Sequence, residues 1–105
     1  MLLFIALGAK AQNEEGQNKS YKTTVVVKGN CEMCKARIEK SVLKTKGVKY
    51  ASWDTETKKL SLIYNQKKTS LKEIQKSVLN VGHDVDTLKA SDAAYEKLHF
   101  CCKYR

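Results

Sequence analysis

Four cysteines are the residues of this chain best able to do chemistry, and two of them, Cys31 and Cys34, are separated by two residues. They follow the β-branched run at residues 25–27 and open a segment with helical apolar periodicity, so we expect a strand to lead into a helix at this pair. A thiol at the start of a helix faces unpaired backbone N–H groups and the positive end of the helix dipole, which favour the thiolate. Two such thiolates predict capture of a soft metal ion or thiol–disulfide exchange.

The donor atoms of this pair decide which ions it favours. Sulfur donors suit Cu(I) or Hg(II), which accept two or three thiolates, better than Mg²⁺ or Ca²⁺, which prefer oxygen. Zn(II) would need further ligands to complete a tetrahedron. We interpret Glu32 as a favourable charge in the first helical turn and Met33 as a packing side chain, and not as ligands. Cys31 and Cys34 are therefore the predicted metal ligands, with Cu(I) favoured over Hg(II) and Zn(II).

The other two cysteines and both histidines are candidate additional ligands. His83 follows the second predicted helix, where it either adds a third donor or only shapes the loop. His99, Cys101 and Cys102 lie together near the C-terminal end, where they predict a second soft-metal site or a relay to the first pair. A disulfide is the competing interpretation, because cysteines of exported proteins commonly pair. A bond between the two adjacent cysteines would be strained.

The remaining sequence predicts the scaffold that positions the first cysteine pair. Strands are expected at residues 21–28, 48–54, 59–64 and 83–88, and helices at 32–46 and 71–81. Ser70 and Glu73 have the spacing of a capping box, and Gly47 and Gly82 end the two helices. This order predicts an α+β ferredoxin-like βαββαβ sandwich with both helices on one face of an antiparallel sheet.

Apolar residues on the predicted elements are sufficient for one core, so we expect folding to be independent of metal. The predicted core members are Val26, Ile38, Val42, Val48, Leu60, Leu62, Ile74 and Val78. Beyond them, Ser91 caps a predicted C-terminal helix of about ten residues. We expect Tyr95 and Leu98 on this helix to pack against the sheet face that the other helices leave open, near Val25, Val27 and Trp53.

The chain divides into four predicted segments. Residues 1–11 combine an apolar run, too short to span a bilayer, with the small-x-small pattern at residues 9–11, so we predict a truncated signal peptide. Residues 12–20 form a polar, flexible leader, residues 21–90 the folded domain, and residues 91–105 the extension that carries histidine and cysteine. The prediction is an exported protein of the bacterial periplasm, or a cytoplasmic one if the first segment is not a signal.

The chain is strongly basic, with 20 Lys and Arg against 11 Asp and Glu and a net charge of +9. Its lysines are spread over every predicted element, and only two residues, Arg37 and Arg105, are arginine. This distribution does not form the compact basic surface of a nucleic-acid-binding protein. We therefore predict no nucleic-acid partner, and an acidic partner protein stays open.

Several motifs together resemble the heavy-metal-associated domain family, typified by copper metallochaperones and periplasmic mercury-binding proteins. The resemblance covers about residues 21–88 and rests on the first strand, Cys31-Glu32-Met33-Cys34, Ile38, Val42, Gly47-Val48, Ala51, Asp54 and Gly82-His83. It implies a metal-binding role without catalysis, and a partner that is a metal-transporting membrane protein or another CxxC protein. Two positions depart from the family: Gly29 stands where members usually carry methionine, and His83 where they commonly carry tyrosine, phenylalanine or lysine.

A thiol–disulfide redox protein using the same CxxC is the alternative function. It is disfavoured because the chain contains no proline, and so no cis-proline, and lacks a longer thioredoxin-like alternation of strands and helices. A nucleophilic hydrolase is also disfavoured, since neither histidine has a sequence context that orients a base for a cysteine. The sequence thus predicts a non-enzymatic protein that binds a soft heavy-metal ion as a chaperone or scavenger.

Overall fold

The sheet and its two long helices form in the order that the sequence predicts. A computed structural model describes residues 20–105, so the predicted signal peptide at 1–11 and the predicted leader at 12–20, except Ser20, lie outside the described residues. The strands are β1 (Ser20–Val26), β2 (Val48–Trp53) and β3 (Lys59–Asn65), and the helices are α1 (Glu32–Leu43), α2 (Leu71–Asn80) and the short α3 (Asp92–Glu96), followed by a 3-10 turn at Phe100–Cys102. Among the described residues, no helix is long and apolar enough to cross a bilayer.

β3 lies at the centre of the sheet, and β1 and β2 pair with it antiparallel on either side. The β2–β3 hairpin turns on Asp54, whose carboxylate accepts hydrogen bonds from the N–H groups of Glu56 (2.7 Å) and Thr57 (3.1 Å). The last residue of β1, Val26, pairs with Lys59 at the start of β3. The loop that follows β1 therefore opens at the same end of the sheet as the hairpin.

Both long helices carry the features that predicted them. The buried residues of α1 recur every four positions: Cys34, Ile38 and Val42. α1 ends at Leu43 and not at the predicted Lys46, and the chain then turns at Gly47, four residues after Leu43. At the start of α2, the Ser70 hydroxyl accepts a hydrogen bond from the Glu73 N–H at 3.3 Å, which confirms the predicted cap.

The predicted fourth strand is reduced to one bridge between Val27 and Val85. Two backbone hydrogen bonds flank it, from Lys28 N to Asp84 O at 2.9 Å and from Asp86 N to Val26 O at 2.8 Å. Val85 also bridges Leu88, so the chain folds back on itself before a longer pairing can form. The ferredoxin-like order of elements is nevertheless confirmed, with three full strands in the described sheet.

The core lies between the sheet and the two long helices. Its sheet residues are Val25, Val27, Trp53, Leu60, Leu62 and Tyr64, and its helix residues include Ile38, Val42, Ile74 and Val78. The prediction that Val26 is a core residue is wrong, because this side chain is 45% exposed. Successive side chains of a strand point to opposite faces, so the burial of Val25 and Val27 places Val26 outside. Val48 is only partly buried, at the edge of the core.

The C-terminal extension does not pack where the sequence predicted. Its buried residues Tyr95 and Leu98 belong to the same core cluster as Val25 and Val27, and not to a cluster on the open sheet face. The open face carries the polar residues Lys22, Thr24 and Ser61, and its apolar residues Val26 and Tyr50 stay exposed. The predicted single helix of about ten residues is also replaced by the five-residue α3 and the separate 3-10 turn.

Gly82 allows the extension to approach the end of α2. A β-carbon at this position would lie 2.7 Å from the Ala94 carbonyl oxygen and 3.0 Å from Leu98 Cγ, so any side chain would push the extension away. Gly82 also has a φ of 98°, a conformation that other residues rarely adopt. Glycine is therefore required here both for the turn and for the contact with the extension.

Asp84 anchors the last two residues of the extension. Its carboxylate accepts a hydrogen bond from the Arg105 guanidinium at 3.0 Å, and its backbone N–H donates to the Tyr104 hydroxyl at 2.8 Å. The Tyr104 hydroxyl donates in turn to the Gly82 carbonyl at 2.7 Å. The guanidinium carbon also lies 4.4 Å from the centroid of the Tyr95 ring. Residues 91–105 are thus an integral part of the fold.

Candidate metal centre

The loop between β1 and α1 is shaped by the close approach of Trp53 to Gly29. A β-carbon at residue 29 would lie 3.1 Å from Trp53 Cη2 and 3.2 Å from Cys34 Cβ. The indole is fixed by its N–H, which donates to the Val27 carbonyl at 3.0 Å. Trp53 therefore fills the space beneath the loop that a longer side chain at position 29 would need.

Cys31 and Cys34 lie at the N-terminus of α1, as the sequence predicts. Cys31 is the residue that precedes the helix, and Cys34 lies in its first turn. Their sulfur atoms are 3.8 Å apart. Cys34 is fully buried and its sulfur accepts a hydrogen bond from the Asn30 N–H at 3.3 Å, whereas Cys31 is partly exposed. The pair therefore has an inner and an outer sulfur, and the outer one is accessible from solvent.

The helix N-terminus makes Cys31 acidic for a thiol. The backbone N–H groups of Cys34 and Met33 point at its sulfur and lower its pKa from 9.0 to about 7, against a smaller opposing effect of burial. The lowered pKa favours the Cys31 thiolate at neutral pH more than in an ordinary cysteine. The thiolate is the form that binds metal ions and attacks disulfides.

The extension brings Cys101 and Cys102 to the same place. The Cys101 sulfur lies 3.7 Å from the Cys31 sulfur and 3.8 Å from the sulfur of Met33. The sulfur atoms of Cys31, Cys101 and Cys102 all lie within 4.8 Å of one another, and we call these three residues the sulfur cluster. Cys34 is not a member of this cluster but contacts it through Cys31. The four predicted cysteines therefore meet in one location.

Asn30 fastens the extension to the loop. Its side-chain amide donates to the carbonyl oxygens of Cys101 at 3.3 Å and Lys103 at 3.0 Å. The neighbouring Cys31 sulfur and burial raise the pKa of Cys101, and burial raises that of Cys102. Sequence reasoning missed the role of Asn30, because its partners lie more than 70 residues away and no local pattern marks them.

The two histidines occupy different environments. His83 is fully buried, its Nδ1 lies 2.7 Å from the Lys28 carbonyl oxygen, and its ring stacks on Tyr104 with centroids 5.7 Å apart. Burial lowers the pKa of His83, so its ring is neutral at pH 7 and supports the loop from outside the sulfur cluster. His99 is exposed, and its Nδ1 lies 3.6 Å from the Cys101 sulfur. Of the two candidate histidine ligands, only His99 directly contacts a cysteine sulfur.

Comparison with known proteins agrees with this geometry. Residues 23–84 match the heavy-metal-associated domain, which is more than half of the chain. This chain belongs to the heavy-metal-associated domain family. No curated protein is similar enough in sequence to count as a match.

Solved structures of heavy-metal-associated proteins share the fold. The CopZ metallochaperone is 24% identical, with a TM-score of 0.60 over 62% of this chain and 98% of that one. Oxidized MerP from Ralstonia metallidurans CH34 is 22% identical, with a TM-score of 0.55 over 63% and 96%. The N-terminal domain of a potential copper-translocating P-type ATPase from Bacillus subtilis, in its Cu(I)-loaded state, is 26% identical, with a TM-score of 0.61 over 70% and 92%.

The heavy-metal-associated domain and the extension contribute differently to the site. Cys31 and Cys34 lie within the matched residues 23–84, whereas Cys101 and Cys102 lie beyond them. The family assignment supports binding of a heavy-metal ion by the domain. The extension adds two thiols to the same end of the sheet.

Proposed function

We propose that this heavy-metal-associated protein captures one soft ion, preferably Cu(I), through the thiolates of Cys31 and Cys34 and then carries or sequesters it. The observation that supports this most is the 3.8 Å between the two sulfurs at the start of α1. Two metal–sulfur bonds of about 2.3 Å can span that distance, so both sulfurs can bind one ion as they stand. The acidic Cys31 supplies a thiolate at neutral pH for the first contact.

The preference for Cu(I) rests on the donors around the loop. The described cysteine side chains on either side of Cys31, Cys34 and Cys101, offer sulfur donors. Soft thiolate and thioether donors select Cu(I), whereas oxygen-seeking ions find no carboxylate in the sulfur cluster. The similarity to a Cu(I)-loaded ATPase domain supports the same choice. Hg(II) and Zn(II) are the alternatives.

The partner we propose is a protein that can take the ion by thiolate exchange. A metal-transporting membrane protein fits, since a heavy-metal-associated domain also occurs at the N-terminus of the similar P-type ATPase. A soluble protein with its own CxxC pair fits equally well. We place this exchange in the periplasm, because residues 1–11 have the pattern of a signal peptide.

Thiol–disulfide exchange is the second candidate function. The observation that favours it is the lowered pKa of Cys31 beside a second sulfur at 3.8 Å. A redox protein would reduce a disulfide substrate such as insulin at a rate that depends on Cys31. A metal carrier would not, and its reduced form would instead bind Cu(I) tightly.

Anaerobic titration of the reduced protein with Cu(I) against a competing chelator tests the proposal. Because each cysteine supplies half of the predicted donors, we expect Cys31→Ser and Cys34→Ser each to weaken binding by more than about 100-fold. That exceeds the loss of about 10- to 100-fold that follows removal of a side chain which only hydrogen-bonds to a metal ligand. Met33→Leu is the matched control, since it removes a sulfur between the two cysteines and should leave the affinity nearly unchanged. Wild-type affinity in both serine variants would refute the proposal. Parallel titrations with Hg(II) and Zn(II) rank the three ions by affinity.

A further inference from the structure

We propose that the C-terminal extension is part of the metal site, and that Cys101 and Cys102 bind the captured ion together with Cys31 as a site of at least three thiolates. This inference rests on the proposed function, because it concerns the same ion. It goes further in assigning ligands that lie outside residues 23–84, where the family match ends. On binding, each thiol that is still protonated releases its proton to solvent and donates a sulfur lone pair to the ion.

The sulfur–sulfur distances from Cys31 to Cys34 and to Cys101 each fit one ion. The sulfur of Cys31 lies 3.8 Å from that of Cys34 and 3.7 Å from that of Cys101. At a metal–sulfur distance of about 2.3 Å, either pair subtends an angle of about 110° at the ion. An ion bound by two sulfurs alone prefers a wide, near-linear angle, whereas three or four sulfurs produce angles near this value. The arrangement therefore favours a site with more than two donors.

The fold holds the sulfur cluster together without the help of an ion. Upstream of the two cysteines, Leu98 is buried in the core and packs closely against Gly82. Downstream, Tyr104 and Arg105 are bound to Asp84. Between these anchors, the Asn30 amide binds the Cys101 carbonyl. Cys101 and Cys102 are thus preorganised beside Cys31, and an ion that arrives need not order the chain to reach them.

Packing explains only one of the two added thiols. Cys102 is fully buried, and a small apolar residue would serve the core equally well there. Cys101 is partly exposed and follows the exposed residues His99 and Phe100, so no packing requirement selects a thiol at this position. Its sulfur nevertheless points at Cys31. A ligand role accounts for both its identity and its direction.

A third thiolate changes what the protein does with its ion. A partner with two cysteines must displace the extension before it can take over an ion that three sulfurs hold. The extension therefore favours retention over rapid transfer. We expect Cu(I) to move to a competing dithiol more slowly from the wild-type protein than from Cys101→Ser.

X-ray absorption at the copper edge of the Cu(I)-loaded, reduced full chain counts the sulfur ligands directly. We expect at least three sulfurs in the wild type and one fewer in Cys101→Ser, together with an affinity loss of about tenfold or more. Phe100→Ala is the matched control, because its side chain is 80% exposed and carries no donor. Cys101 is the safer test position, since Cys102 is fully buried, and thermal melting of each apo variant confirms that it is folded.

The outcomes separate this inference from the proposed function. Two sulfurs in the wild type, or an unchanged sulfur number and affinity in both Cys101→Ser and Cys102→Ala, would overturn the role of the extension. If Cys31→Ser still abolished tight binding in that case, the proposed function would stand without it. If none of the cysteine variants changed Cu(I) binding, both proposals would fail.

Discussion

Cys31 occupies the position that a serine or aspartate side chain takes at many helix N-termini. The N–H groups of the second and third helical residues, Met33 and Cys34, face its sulfur and lower its pKa, although the sulfur makes no capping hydrogen bond. The N–H groups left unpaired at the start of the helix therefore stabilise the Cys31 thiolate.

The acidity of Cys31 predicts selective alkylation. Because the thiolate reacts and the pKa of Cys31 is about 7, its rate with iodoacetamide should rise through an inflection near pH 7. The pKa of Cys101 is raised above the ordinary thiol value of 9.0, so its alkylation rate should increase only above pH 9. Peptide mapping by mass spectrometry over a pH series measures both rates. An inflection for Cys31 near pH 9 would contradict the assigned environment.

The contact between Gly29 and Trp53 predicts that the methionine usual in the family is not tolerated here. Gly29→Met should destabilise the domain by about 1–3 kcal/mol, because the new side chain overlaps the indole and Cys34. Lys28→Met is the control, since residue 28 is exposed and the same side chain finds room there. Chemical denaturation of both variants compares their free energies of unfolding. Equal losses in the two would argue against a steric cause.

At the scale of elements, the sequence predicted the parts of the fold that local patterns specify. The cysteine pair at a strand-to-helix junction, the α2 cap at Ser70 and the β2–β3 hairpin all have short-range causes. The fourth strand was overestimated, because nothing in residues 83–88 revealed that Val85 would pair with Leu88 as well as with Val27. Such competition depends on the backbone path and not on periodicity.

The extension shows why the rest of the site could not be predicted. Tyr95, Leu98 and Cys102 have helical spacing, yet the chain leaves the helical conformation at His99, with φ −59° and ψ 145°. The meeting of Cys101 with Cys31 joins residues 70 positions apart. Only the assembled core determines that contact, so the sequence could identify the candidate ligands but not bring them together.

The anchor of the extension predicts an acid-sensitive contribution to stability. Hydrogen bonds from Ala90, Arg105 and Tyr104 outweigh the effect of burial and hold the pKa of Asp84 below its usual 3.8. The contribution is therefore complete above pH 3.8 and is lost as the pH falls through the folded-state pKa. Asp84→Asn should cost roughly 1.5–3 kcal/mol at pH 7, and thermal melts should converge with the wild type in acid.

Asp92 provides the control for this experiment. Its carboxylate also contacts Arg105, at 3.2 Å, but its side chain is fully exposed. Asp92→Asn should leave the melting temperature unchanged at every pH, because solvent screens exposed ion pairs. A loss equal to that of Asp84→Asn would show that the charge of Arg105, and not the buried carboxylate, stabilises the anchor.

At the scale of the whole molecule, the core predicts that the metal-free protein is folded. The buried residues of the sheet and helices form one continuous cluster without needing an ion. Removal of metal by a chelator should therefore leave the far-UV circular dichroism unchanged. Loss of that signal on chelation would instead indicate a fold that metal nucleates, as in zinc fingers.

The same cluster predicts the effect of removing the extension. Deletion of residues 97–105 takes Leu98 and Cys102 out of the core and should cost about 2–5 kcal/mol, as for large core truncations. In a domain of this size that corresponds to a fall in melting temperature of roughly 10 °C or more. Differential scanning calorimetry of the apo proteins tests this, with Phe100→Ala as the control. An unchanged melting temperature would show that the extension only lies on the surface.

The position of Arg105 makes the two ends of the folded domain unequal as attachment points. Arg105 is bound to Asp84, whose carbonyl pairs with Lys28 just before the cysteine loop. Ser20 pairs with Asn65 at the opposite end of a strand about 23 Å long. A purification tag or fused protein placed after Arg105 would thus emerge beside the cysteines and obstruct a partner protein. One joined upstream of Ser20 would leave the cysteine end of the domain open.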